Sequence, residues 1–155
     1  MEIQLAEKNK LIEVLYVIRE CSRQLLSKGV KYWNNSHADY NEIAEDILNQ
    51  HVYLLILNRV TVGTVTVKPD KSNPKTSVIS RLAIFPHFQK RGFAQEVLKF
   101  TEELARKNGS TILKGFTPIE DKSFRQLLEE CGFVNLGVEG EVPEEFIRIK
   151  FEKRL

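Results

Sequence analysis

The sequence predicts a mixed α/β fold in which a central sheet of six to seven strands is flanked by about four helices. Segments with alternating or continuous apolar residues are interleaved with segments whose apolar residues recur every 3.6 positions, and turn residues separate them. The order is strand, helix, helix, three strands, helix, strand, helix and two strands. With 155 residues and neither an internal repeat nor a low-complexity segment, the chain is expected to be a single domain, residues 1–155.

The N-terminal third is predicted to contain one strand and two helices. Ile3 and Leu5 alternate with polar neighbours, as in a short half-buried strand. Apolar residues then follow a helical period from Asn9 until Gly29, which stands where a helix stops. After a turn-rich stretch, a second helix is expected from about Tyr40.

The middle of the chain is predicted to supply three strands. Val52–Leu57 is continuously apolar and is expected to be buried on both faces, whereas Val60–Val67 alternates. The residues Asn58 and Arg59 between them indicate a hairpin. The third strand, TSVISRLAIF, ends at Pro86.

The C-terminal half repeats the alternation of helix and strand. An apolar stripe predicts a helix over Ala94–Ala105, a strand follows near Thr111–Phe116, and a second stripe predicts a helix over Phe124–Cys131. Two closing strands are expected near Phe133–Val138 and Glu145–Phe151.

Composition excludes several classes of protein. No stretch approaches the roughly 20 apolar residues that a membrane span needs, and the N-terminus lacks the pattern of a secretory signal, so a cytoplasmic protein without membrane partners is expected. Cys21 and Cys131 lie in apolar-periodic segments and are expected to be reduced and buried. The net charge of +2 is spread along the chain, which argues against nucleic acid as a partner.

The turn between Pro86 and Ala94 is the candidate binding site. Gly92 allows backbone to approach a ligand, and the helix that begins there has unpaired N–H groups and the positive end of its dipole. Lys90 and Arg91 add two cations, so a phosphate or pyrophosphate suits this turn. The alternative is an ordinary connection whose cations face water. The sequence has neither the glycine pattern of dinucleotide binders nor that of a P-loop.

The segment RLAIFPHFQKRGFAQEVLKFTEELARKNG resembles the acetyl-coenzyme A binding motif of the GCN5-related N-acetyltransferase (GNAT) family. The core of that motif, [QR]-x-x-G-x-[GA], is matched by Gln89, Gly92 and Ala94, and DKSFRQLLEECGF resembles a second motif of the family. Together with the element order, the resemblance covers nearly the whole chain. It implies the GNAT fold, with a mixed, largely antiparallel twisted sheet, and an enzyme that transfers acetyl from acetyl-CoA to a primary amine of a small molecule or peptide.

The resemblance implies mainly main-chain roles at this site. The pyrophosphate of coenzyme A would be held by the backbone N–H groups of the loop and of the first helical turn, which are Gln89, Lys90, Arg91, Gly92, Phe93, Ala94 and Gln95. The pantetheine arm would hydrogen-bond to the strand residues Leu82, Ala83 and Ile84. The N–H of Leu82 would stabilise the oxyanion that forms when the amine attacks the thioester.

Four positions of this sequence differ from the residues that relatives often have, or have a role that the family pattern leaves open. Leu128 occupies the position of a tyrosine that protonates the leaving thiolate in many relatives, and residues 110–140 contain no tyrosine, so water or another residue must do this. Asp121 replaces a common asparagine and either contacts the cofactor or caps a helix. Phe124 either contacts the pantetheine or fills the core. Ser80 occupies a position that carries a base in some relatives and could hold a water as a base relay.

The acceptor side is less defined. The resemblance places the segment between the first two helices at the acceptor pocket, which makes Trp33 and His37 candidate substrate contacts, although Trp33 could equally anchor the loop. His87 is expected to be exposed, and His51 is ambiguous. No metal is expected, and a homodimer is the default for any self-association. The missing tyrosine leaves a second hypothesis open, a module that binds acetyl-CoA for regulation with little transfer.

Overall fold

A seven-stranded sheet forms the centre of the structure, a computed structural model that describes residues 1–30, 39–139 and 147–155. The strands are β1 (Glu2–Leu5), β2 (Val52–Leu57), β3 (Val60–Pro69), β4 (Thr76–Ile84), β5 (Ile112–Pro118), β6 (Val134–Glu139) and β7 (Arg148–Arg154). Their order in the sheet is β1-β2-β3-β4-β5-β7-β6. Neighbouring strands are antiparallel except β4 and β5, which are parallel. The prediction of a mixed, largely antiparallel sheet is confirmed.

In the described residues, the α-helices that accompany the sheet are α1 (Leu11–Ser27), α2 (Tyr40–Leu48), α3 (Phe93–Lys107) and α4 (Lys122–Glu130), and short 3-10 helices lie at Lys8–Lys10 and Pro86–Phe88. Two of the α-helices begin at an aspartate cap. The carboxylate of Asp39 accepts a hydrogen bond from the N–H of Glu42 at 2.8 Å, and that of Asp121 accepts one from the N–H of Phe124 at 3.1 Å. Such caps satisfy N–H groups that the first helical turn leaves unpaired. Helix α3 begins instead at Gly92 and has no side-chain cap.

The apolar stripes of the helices cover opposite faces of the sheet. On one face, α1 and α2 bury Val14, Ile18 and Ile43 against Leu54 of β2. On the other face, α3 and α4 pack against a larger cluster that includes the next residue of β2, Leu55. Because successive strand side chains point to opposite faces, one strand serves both cores. Each buried aliphatic side chain contributes about 1.5–3 kcal/mol to stability.

Strands β4 and β5 are paired at one end only. Thr76–Val78 of β4 pairs with Ile112–Lys114 of β5, and no further pairs join the two strands in the described residues. Strand β4 continues to Ile84, hydrogen-bonded to β3, while β5 continues to Pro118, paired with β7. The two strands therefore diverge and leave a gap in the middle of the sheet.

A one-residue bulge interrupts β4 beside this gap. Thr66 of β3 is opposite Ser80, but Thr64 is opposite Ala83, so β4 carries one extra residue between these pairs. Arg81, which lies there, has a φ of 50°. For a residue with a side chain, this left-handed conformation costs of the order of 1–3 kcal/mol. The strands approach so closely here that a Cβ atom on Gly63 would lie 2.8 Å from the carbonyl oxygen of Ala83.

The last strand differs from its predicted bounds. It was expected to end at Phe151, but β7 runs to Arg154 and pairs along the whole of β5. The sequence pattern ends early because Lys153 stands where an apolar residue would continue the alternation. Its ammonium group reaches Glu102 at 2.7 Å and the carbonyl oxygen of Cys131 at 2.9 Å, so the lysine is accommodated on the core-facing side.

Two predictions about the whole chain can be compared with the structure. In the three described ranges, no helix is long and apolar enough to cross a membrane. Both cysteines of the sequence are free thiols. Cys21 is buried as expected, but Cys131 is only partly buried. Burial raises the pKa of the Cys21 thiol to about 12, with a smaller contribution from the nearby Glu20 carboxylate.

Candidate functional site

A cavity of about 740 Å³ occupies the gap between the diverging strands. Its walls are the edge of β4, the far end of β5, the C-terminal turns of α1 and one side of α4, and the N-terminus of α3 closes one end. Sites at which a sheet opens and a helix begins are common places for ligands, because main-chain groups are free of sheet partners there.

The loop before α3 has a main-chain conformation that can hold an anion. Lys90 has a φ of 61° and Gly92 a φ of 84°, with Arg91 between them outside the left-handed region. Alternation of this kind turns successive N–H groups toward one concave side, which is an anion-binding arrangement. Helix α3 follows with its positive dipole end and uncapped N–H groups. No atom lies within 4 Å of the place where a Cβ on Gly92 would be, so the space is open for a phosphate group.

The free edge of β4 supplies main-chain groups to the same cavity. The N–H of Phe85 donates to Val62 of β3 at 2.7 Å, and Ala83 is opposite Thr64. Because hydrogen-bonding direction alternates along a strand, the main-chain groups of Leu82 and Ile84 point away from β3, toward the gap that β5 has left. An extended ligand chain can pair with this edge as an additional strand would.

Side chains of α1 hold the end of β4 and the loop together. The amide of Gln89 donates to the carbonyl oxygen of Ile84 at 2.8 Å and exchanges two hydrogen bonds with the amide of Gln24, at 2.8 Å and 3.1 Å. The thiol of Cys21 donates to the same Ile84 oxygen at 3.1 Å. The side chain of Gln89 is therefore engaged within the protein, where it fixes the loop to β4 and α1.

The two cations of the loop are placed differently. Lys90 is exposed and lines the cavity. Arg91 does not line it; its guanidinium lies over the ring of Phe88, 5.3 Å from the ring centre. Lys28, at the end of α1, and Lys122, at the start of α4, also line the cavity. The cavity therefore has positive charge on several of its walls, beside the carboxylates of Glu120, Asp121 and Glu130, and an anion is favoured next to the cations.

Helix α4 forms the wall opposite β4. Asp121 lines the cavity and also caps this helix, so the structure assigns it the cap and leaves it within reach of a ligand. Burial raises the pKa of its carboxyl, against the opposing effects of the Phe124 N–H and of Lys28 and Arg125. Phe124 is half-buried against the core and lines the cavity as well. Leu128 is 2% exposed and places a methyl-rich surface at the cavity wall.

The structure brings together nearly all of the predicted site residues. Those that line the cavity are Ser80, Leu82, Ala83, Ile84, Gln89, Lys90, Gly92, Phe93, Ala94, Gln95, Asp121 and Phe124. His87 is exposed, and neither it nor His51 lines the cavity. The candidate substrate residues Trp33 and His37 lie outside the described residues. In the parts of the chain that are described, no group of three or more His, Cys, Asp or Glu side chains could hold a metal ion.

Several residues of the site were missed by the sequence reasoning. Gln24 and Lys28 belong to the predicted first helix, where nothing in the local pattern marks them as site residues. Phe116 lines the cavity from β5, and the guanidinium of Arg148 lies 3.7 Å from its ring centre. Arg81 lines the cavity and pairs with the buried Asp46. A charged residue on the apolar face of α2, at a helical spacing from Ile43, was the one signal that could have revealed this pair.

Comparison with known proteins agrees with this geometry. Residues 12–133 match the family model described as the acetyltransferase (GNAT) family. No curated protein matches the sequence at a significant level. Among solved structures, an acetyltransferase of the GNAT family from Streptococcus agalactiae has a TM-score of 0.83 at 20% identity, covering 99% of this chain and 95% of that one.

Two further similar structures were solved with coenzyme A or acetyl-CoA bound. The PaiA N-acetyltransferase of Thermoplasma acidophilum, in complex with coenzyme A, has a TM-score of 0.79 at 14% identity, covering 99% of this chain and 98% of that one. The putative acetyltransferase YncA of Salmonella typhimurium, with acetyl-CoA, has a TM-score of 0.79 at 16% identity, covering 100% and 94%. At these identities the likeness concerns the fold.

Proposed function

Because the chain belongs to the acetyltransferase (GNAT) family, we propose that it transfers the acetyl group of acetyl-CoA to a primary amine of a small molecule or peptide. The observation that supports this most directly is the continuity of the cavity. It runs from the N–H groups at the start of α3, along the free edge of β4, to the bulge at Arg81. A ligand with an anionic head and an extended amide-containing arm suits such a path.

The chain's own residues would bind acetyl-CoA in three stretches. The loop from Gln89 to Gln95 would hold the pyrophosphate by main-chain N–H groups, with Lys90 adding charge. Ile84 and Leu82 would pair with the amides of the pantetheine arm. Phe124 would contact that arm from α4, and Asp121 would lie beside it. Acetyl-CoA supplies an activated acyl group, and the other requirements of the reaction fall to the protein.

The reaction needs a donor at the carbonyl oxygen and two proton transfers. The N–H of Leu82 would donate to the thioester oxygen as negative charge develops there. The attacking amine must lose a proton, and Ser80 could hold a water that takes it. As the new C–N bond forms, the C–S bond breaks and the thiolate takes up a proton. Leu128 cannot donate that proton, so solvent would provide it; a thiol pKa of about 8.5 makes the thiolate a tolerable leaving group.

The first experiment is calorimetric titration with acetyl-CoA, followed by a panel of amines assayed for thiol release. We expect binding in the micromolar range, about −8 kcal/mol, and thiol release that rises with one class of amine. Absence of binding at millimolar acetyl-CoA would refute the proposed function.

A second candidate is a module that binds acetyl-CoA and regulates another process with little transfer. The observation in its favour is the buried, apolar Leu128, at the position where the resemblance places a tyrosine in many relatives. The amine panel separates the two candidates. Binding without thiol release above the hydrolytic background, for every amine tested, would support the regulatory module, whereas amine-dependent release would reject it.

A further inference from the structure

We propose that Arg81 is a positioning residue for acetyl transfer, because its buried ion pair with Asp46 holds the β4 bulge in the conformation that directs the main chain of Leu82 into the cavity. This inference rests on the proposed function. It assigns a role to a side chain that the binding motif does not include and to a partner on α2, outside the loop and strand described above.

The main chain at Arg81 adopts a conformation that its residue type disfavours. The φ of 50° lies in the left-handed region, where the Cβ atom crowds the main chain and glycine is preferred. Such a residue persists where the surrounding structure fixes it, and positions of this kind cluster at functional sites. The register shift between β3 and β4 occurs at the same place, so the conformation of Arg81 and the bulge are one feature.

The surrounding structure fixes Arg81 through its guanidinium. One terminal nitrogen lies 2.7 Å from Asp46 and the other lies 3.0 Å from Glu42, so two successive turns of α2 hold the group. The side chains of Arg81 and Asp46 are 5% and 6% exposed, which makes the pair a short, charge-assisted contact in a desolvated setting. These contacts with α2 oppose a rotation of the main chain that would pull the guanidinium out of its place.

The carboxylate of Asp46 is shared with a second cation. Its other oxygen lies 2.8 Å from the ammonium group of Lys68 on β3. Strand β3 is the partner of β4 across the bulge, and Lys68 lies two residues from Thr66, beside the register shift, so Asp46 ties α2 to both strands near the bulge. Removal of the Arg81 side chain would leave Asp46 paired with Lys68, and a variant at position 81 is therefore expected to fold.

The bulge controls the direction of the adjacent main chain. Ser80 and Leu82 flank Arg81, and all three residues line the cavity. A peptide flip at Arg81 toward ordinary strand geometry would rotate the N–H of Leu82 away from its present direction. Because donors must be aimed where charge develops, a small rotation of this group is expected to lower the rate of the chemical step more than the affinity for acetyl-CoA.

The test compares two substitutions that remove the same ion pair. Arg81→Gly and Arg81→Ala both delete the guanidinium, but only glycine enters the left-handed region without a Cβ clash. We expect the kcat of Arg81→Ala to fall at least about tenfold below that of Arg81→Gly, with KM for acetyl-CoA within about threefold of the wild type in both. Arg81→Asn, which tolerates the left-handed region better than alanine, should lie between them. Equal kcat for the glycine and alanine variants would overturn the proposal. If both matched the wild type, the ion pair would not be needed to hold the bulge; if both fell alike, the guanidinium would act other than through the conformation of the main chain.

A measurement that does not depend on turnover tests the role of Arg81 independently of the proposed acetyl transfer. The ¹H–¹⁵N resonance of Leu82 is followed in the wild type and in both variants, with thermal melting as the check on folding. We expect the Leu82 resonance to move strongly in Arg81→Ala and little in Arg81→Gly. An unmoved resonance in both variants would refute the positioning role even if the wild type is active. A wild type inactive toward every amine would refute the proposed function while the resonance still tests the bulge.

Discussion

The two ends of the β4–β5 pair differ in what satisfies the main chain of β4. At the paired end, Thr76–Val78 is hydrogen-bonded to β5, and the buried hydroxyls of Ser77 and Ser110 are 2.7 Å apart. At the open end, β5 has moved away, and the carbonyl oxygen of Ile84 accepts hydrogen bonds from the side chains of Gln89 and Cys21 instead. Strand β4 is thus paired on both sides over its first residues, but over its last residues it is paired only with β3 and has a free edge toward the cavity.

This difference shows how a sheet can open a cavity between two of its strands while its main-chain groups keep hydrogen-bond partners. A buried main-chain group needs a partner, and at the open end side chains of α1 and of the loop provide one for Ile84. The main chain of Leu82 points into the same gap and would find its partner in the ligand. Substitutions at the open end are therefore expected to alter binding, and those at the paired end to alter stability.

The largest effect is expected from Gly92→Glu at the open end. The φ of 84° strains any residue with a side chain, and a carboxylate would enter the space that we assign to the pyrophosphate. We predict a loss of at least about 100-fold in affinity for acetyl-CoA, or roughly 2.7 kcal/mol. Isothermal calorimetry measures it.

Gly109→Glu is the matched control for this substitution. Gly109 follows the C-terminus of α3, has a φ of 83° and also has no atom within 4 Å of a Cβ position. A glutamate at position 109 would have the same main-chain strain and the same added charge as one at position 92, but at the opposite end of the same helix. Equal loss of affinity in the two variants would mean that strain in α3, and not the cradle for the phosphate groups, explains the result.

A smaller effect is expected from Gln24→Leu, which removes the amide partner of Gln89. The loop would lose one of the contacts that fix it to the end of β4. We predict that KM for acetyl-CoA rises about five- to tenfold while kcat changes little, since about 1–1.4 kcal/mol of positioning is lost. Steady-state kinetics with varied acetyl-CoA measures this.

Arg23→Ala serves as the control for Gln24→Leu because its side chain is 77% exposed on the same helix. A kcat that falls with unchanged KM in Gln24→Leu would contradict the assigned role of this contact. The same change of KM in both variants would instead indicate a general disturbance of α1.

The paired end is tested with Ser77→Ala. The substitution deletes the buried hydrogen bond to Ser110 and leaves that hydroxyl without this partner, at a cost of about 1–2 kcal/mol. We predict a lower midpoint of urea unfolding with unchanged kcat and KM. A change in KM for acetyl-CoA larger than threefold would show that the two ends of β4 are coupled, and the distinction drawn above would be wrong.

The smallest effect is expected from Asp121→Asn on the wall opposite β4. Asparagine also caps helices well, so the cap should survive. Burial raises the pKa of the Asp121 carboxyl in the folded state, which means that folding disfavours its ionised form. The wild type therefore loses stability as pH rises above the unfolded-state pKa of about 3.9.

The sign of the pH dependence follows from this. Below the unfolded-state pKa the carboxyl is protonated in both states and the two proteins should melt alike, whereas at pH 7 the asparagine variant should melt about 1 °C higher. Thermal melts between pH 3 and pH 8 measure the difference. A variant that melts lower at pH 7 would show that attraction from Lys28 and Arg125 outweighs the burial of the carboxyl.

The sequence by itself determined the order of the helices and strands and the place of the loop before α3. Periodicity and turn residues are local properties, and they were sufficient for seven strands, four helices and the placement of Gly92 at the start of α3. The match of Gln89, Gly92 and Ala94 to a known motif was local as well. Lys153 shows the limit of such local prediction. This charged residue lies on the core-facing side of β7, so the alternation of apolar residues ends before the strand does.

Only the tertiary structure decided how the site is held. The gap arises because β5 leaves β4 after three paired residues, which no local pattern records. The Gln24–Gln89 contact joins residues 65 positions apart, and the Arg81–Asp46 pair joins residues 35 positions apart. Contacts between side chains on different elements depend on the packing of helices against the sheet. The sequence therefore predicted a candidate binding stretch, and the packing determined which side chains hold that stretch in place.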